Sequence, residues 1–253
     1  MSKLCLMLTK LLVLICILFS FTIQAKQQSL RVAVASNFAS IAKQLAQDFE
    51  QEHQVKIHWI TGATGTLYQQ IRHGAPYDVI FAADKLRPQT LADNGKLLDQ
   101  SLLPYAIGQL SLYSAKYPNM SNQELIHQLP NFDRVAIANP DTAPYGKAAK
   151  QWLVTNGLWS KLEGKTVVGI NVGQTFLQVR SKGADIGFVA SSQLIATGIK
   201  ERPVTLKDVQ QLTQYAGVLK GSKQAKLALA LINYFRQPST QNKLANLGYL
   251  PVV

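Results

Sequence analysis

The chain has 253 residues, with 26 Lys and Arg against 14 Asp and Glu, a formal net charge of +12 and 47% hydrophobic residues. That is long and apolar enough for one large core or two small ones. The basic residues are scattered singly, without the runs or aromatic interleaving of a nucleic-acid platform, and the only two cysteines, Cys5 and Cys16, fall near the start, so the rest of the chain holds no disulfide or thiol chemistry.

The first 25 residues read as a cleaved signal peptide. Lys3 and Lys10 give a positive start, residues 11–21 are apolar except for Ser20, and Ala25 offers a small residue at the cut. The apolar run falls short of the roughly 20 residues that a spanning helix needs. An uncleaved anchor is the competing reading.

Beyond the signal the pattern alternates strand and helix. Residues 31–35 form a strand that ends at Ser36 and Asn37, and 39–52 form a helix. A second strand, 55–60, runs into Thr61-Gly62-Ala63-Thr64-Gly65-Thr66, and a helix follows over 67–73. A strand that enters a helix through glycines and hydroxyls leaves backbone N–H groups free at the helix start, which suits an anion. Two such turns, at Ser36 and at Thr64, suggest a receptor for a small oxyanion. Residues 79–82 form a buried strand before Asp84, and a short helix runs to Asn94-Gly95.

The alternating segment 108–113 is read as a strand that crosses to a second lobe. Strands at 134–138, 167–170 and 186–189 then alternate with helices at 146–156 and 174–182. Residues 215–219 cross back, and two helices at 225–235 and 240–247 close the chain. The order implies an α/β fold of mostly parallel sheets with helices on both faces, whose ligands sit beyond the carboxyl ends of the strands.

Neither hydroxyl turn contains Asp or Glu. A fully ionised oxyanion wants donors only, whereas hydrogen phosphate, which keeps a proton, also wants an acceptor. His53, His58, His73 and His127 are dispersed without metal-ligand spacing, and none of the nine tyrosines adjoins another in the manner of an iron site. No Gly-x-Ser-x-Gly elbow is present. The chain is therefore read as a binding protein without a cofactor or metal-cation ligands, and a secreted hydrolase of an anionic substrate is the competing class.

Val34-Ala35-Ser36-Asn37-Phe38, Gly62 to Ile71, and Gly74-Ala75-Pro76-Tyr77-Asp78 through Asp84 resemble the molybdate-binding periplasmic proteins of ABC uptake systems. So do Ile137 to Gly146, Asn171-Val172-Gly173-Gln174-Thr175, Ala184 to Ala190 and Leu247-Gly248-Tyr249, all in the family's order. The resemblance implies a two-lobed type II periplasmic-binding-protein fold that closes over one tetrahedral dianion, molybdate or tungstate. It further implies a periplasmic location, an ABC permease as partner, and a monomer.

By position, Ser36 and Thr64 would each supply a hydroxyl and a backbone N–H from the first lobe. Tyr145 and Val172 would supply backbone N–H groups from the second, and Asn37, by adjacency, an amide. Sulfate, chromate and phosphate are the alternative ligands. Some members of the family have a tyrosine at the position of Ala190, and many have a serine and a lysine at those of Ala63 and Thr66. The expected division is 26–107 with 219–253 in lobe I and 108–218 in lobe II.

Overall fold

Short, wholly apolar runs become the buried centres of two sheets. In the computed structural model, which describes residues 28–199 and 204–252, the segments Val79–Ala82, Val135–Ala138 and Ile186–Ala190 are buried at every position. That is the burial of strands covered on both faces. The signal segment expected at 1–25 lies outside the described residues.

The first half of the chain runs β1 (Gln28–Ala35), α1 (Ala39–Leu45), α2 (Gln47–Glu52), β2 (Val55–Gly62), α3 (Thr64–Arg72), β3 (Val79–Ala82), α4 (Leu86–Asp93) and β4 (Leu103–Gly108). The second lobe begins with β5 (Leu110–Tyr113), α5 (Asn122–Gln128), β6 (Val135–Ala138), α6 (Pro144–Thr155) and β7 (Thr166–Gly169). It continues through α7 (Val172–Arg180), β8 (Ile186–Ala190), α8 (Ser191–Ala196) and β9 (Val204–Thr205). The chain then returns through β10 (Leu212–Val218), α9 (Ala225–Arg236) and α10 (Pro238–Asn246).

The strand orders are β2-β1-β3-β10-β4 and β7-β6-β8-β5-β9. In each sheet the first three strands are parallel, and the fourth, β10 or β5, runs against them. The two lobes therefore share one pattern of strand directions.

The crossing out is a single residue, Gln109, between the end of β4 and the start of β5. The return differs from the expected one. Leu212–Val218 pairs with β3 and β4, so the chain is back in the first sheet by Leu212, and the crossing is the segment 206–211. Tyr215 to Val218 lie opposite Ala82 to Val79 inside that sheet.

Phe38, fully buried, anchors the first lobe. Its ring lies 4.7 Å from Tyr105, 5.1 Å from Phe235 and 5.7 Å from Tyr249. The turn Ser36-Asn37 is thus fixed on one side by β1 and on the other by an aromatic cluster that fills the core. In the second lobe Trp152 packs on Phe188 and donates Nε1–H to the Lys207 carbonyl, tying α6 to the return crossing.

Candidate functional site

The helices around the cleft begin two or three residues earlier than apolar periodicity predicts. α3 starts at Thr64, α6 at Pro144 and α7 at Val172. First-turn residues have no carbonyl one turn back to bond with. The N–H groups of Thr64, Tyr145 and Val172 accordingly have no acceptor among the described residues. Pro144 at the first position of α6 fits because it has no N–H to lose.

These three helix starts and the Ser36-Asn37 turn surround one small cavity. It is lined by Ser36, Asn37, Ala63, Thr64, Tyr145 and Val172, with Ala35, Gly62, Ala83, Ala143 and Pro144. No charged side chain lines it. Its volume of ≈ 10 Å³ is far below the about 300–1,000 Å³ typical of organic-ligand pockets. Two wider surface clefts are lined by charged side chains of both signs, one including Arg31, Asp78 and Lys96, the other Asp84, Arg87 and Lys147.

Both hydroxyls are oriented by backbone N–H groups. Thr64 Oγ1 accepts from the Ala83 N–H at 3.0 Å, and Ser36 Oγ accepts from the Gly173 N–H at 3.3 Å. Each oxygen has a lone pair occupied, which leaves its own hydrogen to be given. The cavity is therefore rich in donors, and the starts of α3, α6 and α7 add positive partial charge.

Two expected contributions change. The Ser36 N–H is bound to the Gly62 carbonyl at 3.0 Å, continuing the pairing of β1 with β2, so Ser36 offers its hydroxyl alone. The Asn37 carboxamide is also committed. Its Nδ2 donates to Gln214 Oε1 at 2.9 Å and to the Tyr249 hydroxyl at 3.2 Å. What Asn37 leaves without an acceptor among the described residues is its backbone N–H.

Sequence reasoning missed the supporting residues. Ala83 and Gly173 orient the hydroxyls, and Gln193 joins Ala190 to Val172. Its Oε1 accepts from the Ala190 N–H at 3.1 Å, and its Nε2 donates to the Val172 carbonyl at 3.4 Å. Ala190 itself is buried in the core of the second lobe. Thr66 is exposed on α3 and does not line the cavity, whereas Ala63 does.

Behind the cavity lies a buried polar network of Asn37, Tyr105, Tyr145, Ser192, Gln214 and Tyr249. Burial pushes the Tyr105, Tyr145 and Tyr249 phenols above their ordinary range, so all three are neutral hydroxyls at physiological pH. The lobes also meet directly. Arg87, paired with Asp84 at 2.5 Å, donates to the Asp141 carbonyl at 2.6 Å. Among the described residues no group of three or more His, Cys, Asp and Glu side chains is placed to hold a metal ion.

Known proteins show the same organisation. The family described as bacterial extracellular solute-binding protein matches residues 30–250. The molybdate-binding protein ModA of Azotobacter vinelandii is 35% identical over 229 residues, 89% of this chain and 91% of that one. ModA of Rhodobacter capsulatus is 30% identical over 219 residues, 86% of each chain. The solved structure of the Azotobacter vinelandii periplasmic molybdate-binding protein superposes with a TM-score of 0.82 at 33% identity, covering 87% of this chain and 98% of that one. With its two like-ordered sheets and a donor-lined cavity at the helix starts between them, the chain belongs to the bacterial extracellular solute-binding proteins and, among them, to the family of the molybdate-binding proteins.

Proposed function

We propose that this protein captures molybdate, and tungstate, in the periplasm and delivers it to an ABC permease. It acts as a monomeric binding protein, without a cofactor and without turnover. The observation that carries the reading is the donor-only cavity. Ser36 and Thr64, which carry hydroxyls, and Asn37, Thr64, Tyr145 and Val172, whose N–H groups have no acceptor among the described residues, all line it, with no carboxylate among the lining residues. Molybdate and tungstate are fully ionised near neutral pH, so each of their oxygens accepts. The donors come from both lobes, so a bound anion favours the closed arrangement over an open one, which is the differential affinity that closure requires.

Charge alone also admits sulfate, so discrimination falls to size. The test is thermal unfolding with molybdate, tungstate, sulfate, phosphate and chromate, followed by calorimetry. A ligand at 1,000 times its dissociation constant adds about 4 kcal/mol of stability. The expected result is a large shift with molybdate and tungstate and little with sulfate or phosphate. A larger shift with sulfate reassigns the ligand, and product formation from a phosphate ester replaces the binding reading by the hydrolase one.

A further inference from the structure

Gln214 is fully buried and is not itself among the residues that line the cavity. Its side chain nevertheless meets residues from both halves of the site. Oε1 accepts from Asn37 Nδ2 at 2.9 Å and from the Tyr105 hydroxyl at 2.8 Å, and Nε2 donates to the Tyr145 hydroxyl at 3.3 Å. Asn37 belongs to the first-lobe turn that carries Ser36. Tyr145 belongs to the first turn of α6, which lines the cavity from the second lobe. One carboxamide therefore holds a donor-bearing turn from each lobe.

Two further features serve the same arrangement. The pairing of β10 with β4 shifts register between Gln214 and Tyr215, a local irregularity of the kind that re-aims a side chain. On the neighbouring strand Gly108, opposite Leu212, ends β4. A Cβ at that residue would lie 2.1 Å from the Tyr145 hydroxyl and 2.5 Å from Gln214 Nε2, so only glycine leaves the space in which these two groups meet. Gly108 is also the last residue before the crossing at Gln109. Gln214 follows the return crossing closely, so the bond to Tyr145 spans the two lobes where the chain passes between them.

From this geometry we propose that Gln214 is a positioning residue that couples closure of the lobes to assembly of the anion site. When the lobes part, the Tyr145 hydroxyl leaves Nε2. When they close, the same bond sets the start of α6 over the cavity while Asn37 holds the opposite turn. The role rests on the oxyanion reading for its ligand, but the coupling itself belongs to the two lobes and is measurable without one.

The test has two arms. In the first, release of molybdate is followed by stopped flow in the wild type, Gln214→Leu and Tyr145→Phe. Tyr145→Phe removes only the hydroxyl and keeps the ring in place. Both variants are expected to release the anion about tenfold faster, the effect of one buried hydrogen bond, with little change in association rate. Wild-type release rates in both variants, whatever their melting temperatures, overturn the proposal.

In the second arm, spin labels at K43C and K161C, in a chain lacking Cys5 and Cys16, report the distance between the lobes without ligand. A broader and longer distribution in Gln214→Leu and Tyr145→Phe supports the coupling, and a distribution equal to that of the wild type overturns it. If the wild type binds no oxyanion, the ligand reading fails and the second arm alone decides the role of Gln214.

Discussion

Gly65 donates its backbone N–H to the Thr142 carbonyl at 2.8 Å, one lobe to the other, with no side chain between them. A Cβ on Gly65 would sit 2.8 Å from that carbonyl oxygen and 3.1 Å from Arg87 Nε. The lobes therefore close to backbone contact beside the cavity, and glycine is what permits it.

Gly65→Ala is accordingly expected to weaken anion binding about 5- to 150-fold, because the lobes stop short of each other. Overpacking of this kind costs about 1–3 kcal/mol. The ligand-free protein, free to open, loses little thermal stability. Calorimetry alongside melting curves checks the split, and unchanged affinity removes Gly65 from the closure contact.

Thr64→Val deletes the hydroxyl that offers its hydrogen to the cavity and strands the Ala83 N–H. A hydrogen bond to an ion is worth about 1.5–3 kcal/mol, so the dissociation constant should rise by at least tenfold. Thr64→Ser keeps both bonds and should bind nearly as the wild type does. Titration of the two variants side by side is the measurement.

At high pH the buried tyrosines work against the fold. Their phenol pKa values are raised in the folded state by burial, above the value of about 10 of an unfolded chain. The unfolded state thus loses its protons first. Stability is full below pH ~10 and falls as pH climbs toward the folded-state values, by up to about 1.4 kcal/mol per pH unit for each tyrosine. Denaturant titrations between pH 8 and 11 on the order of half a unit apart show it. Tyr249→Phe should flatten the slope.

Asp185 governs the acid side. Burial opposes its ionisation, but Lys116 Nζ at 2.5 Å and the N–H groups of Arg134 at 2.8 Å and Asp133 at 3.1 Å outweigh it and hold the carboxyl below its ordinary value. A depressed folded-state pKa stabilises above the unfolded value of about 3.9, and that stabilisation is lost as pH falls through the folded one. Asp185→Asn should cost about 2 kcal/mol at neutral pH and reduce the acid sensitivity. Chemical denaturation at pH ~7 and ~3 compares the two proteins.

The alternation of strand and helix was legible because most elements are strongly patterned. Val79–Ala82 coincides with its prediction to the residue. Other elements hid for identifiable reasons. β4 carries Pro104, which argues against a strand, and the structure places it at the sheet edge, where proline is tolerated. α5 escaped the sequence reading because apolar periodicity there is weak, although its Ser121 and Glu124 form a capping box. The single helix expected over 39–52 breaks at Ala46, and nothing in the local sequence marks that break.

At the site, the hydroxyl turns were visible as composition, and Tyr145 and Val172 through family order. The tasks of Asn37 and Ser36 were not, because both depend on partners far along the chain. Gln214 is 177 residues from Asn37 and 69 from Tyr145. No local pattern marks a glutamine in a strand as the meeting point of two turns.

The position of β10 also sets the order in which the molecule is completed. It lies between β3 and β4, so until residues 212–218 arrive β4 has no neighbour in its sheet. The second lobe, by contrast, is continuous from β5 to β9. A chain emerging from its amino end can finish the later lobe before the earlier one, the reverse of the usual order of growth. The first lobe waits for the last stretch of the polypeptide, and a chain cut short before Leu212 has half of its proposed anion site on an unfinished sheet.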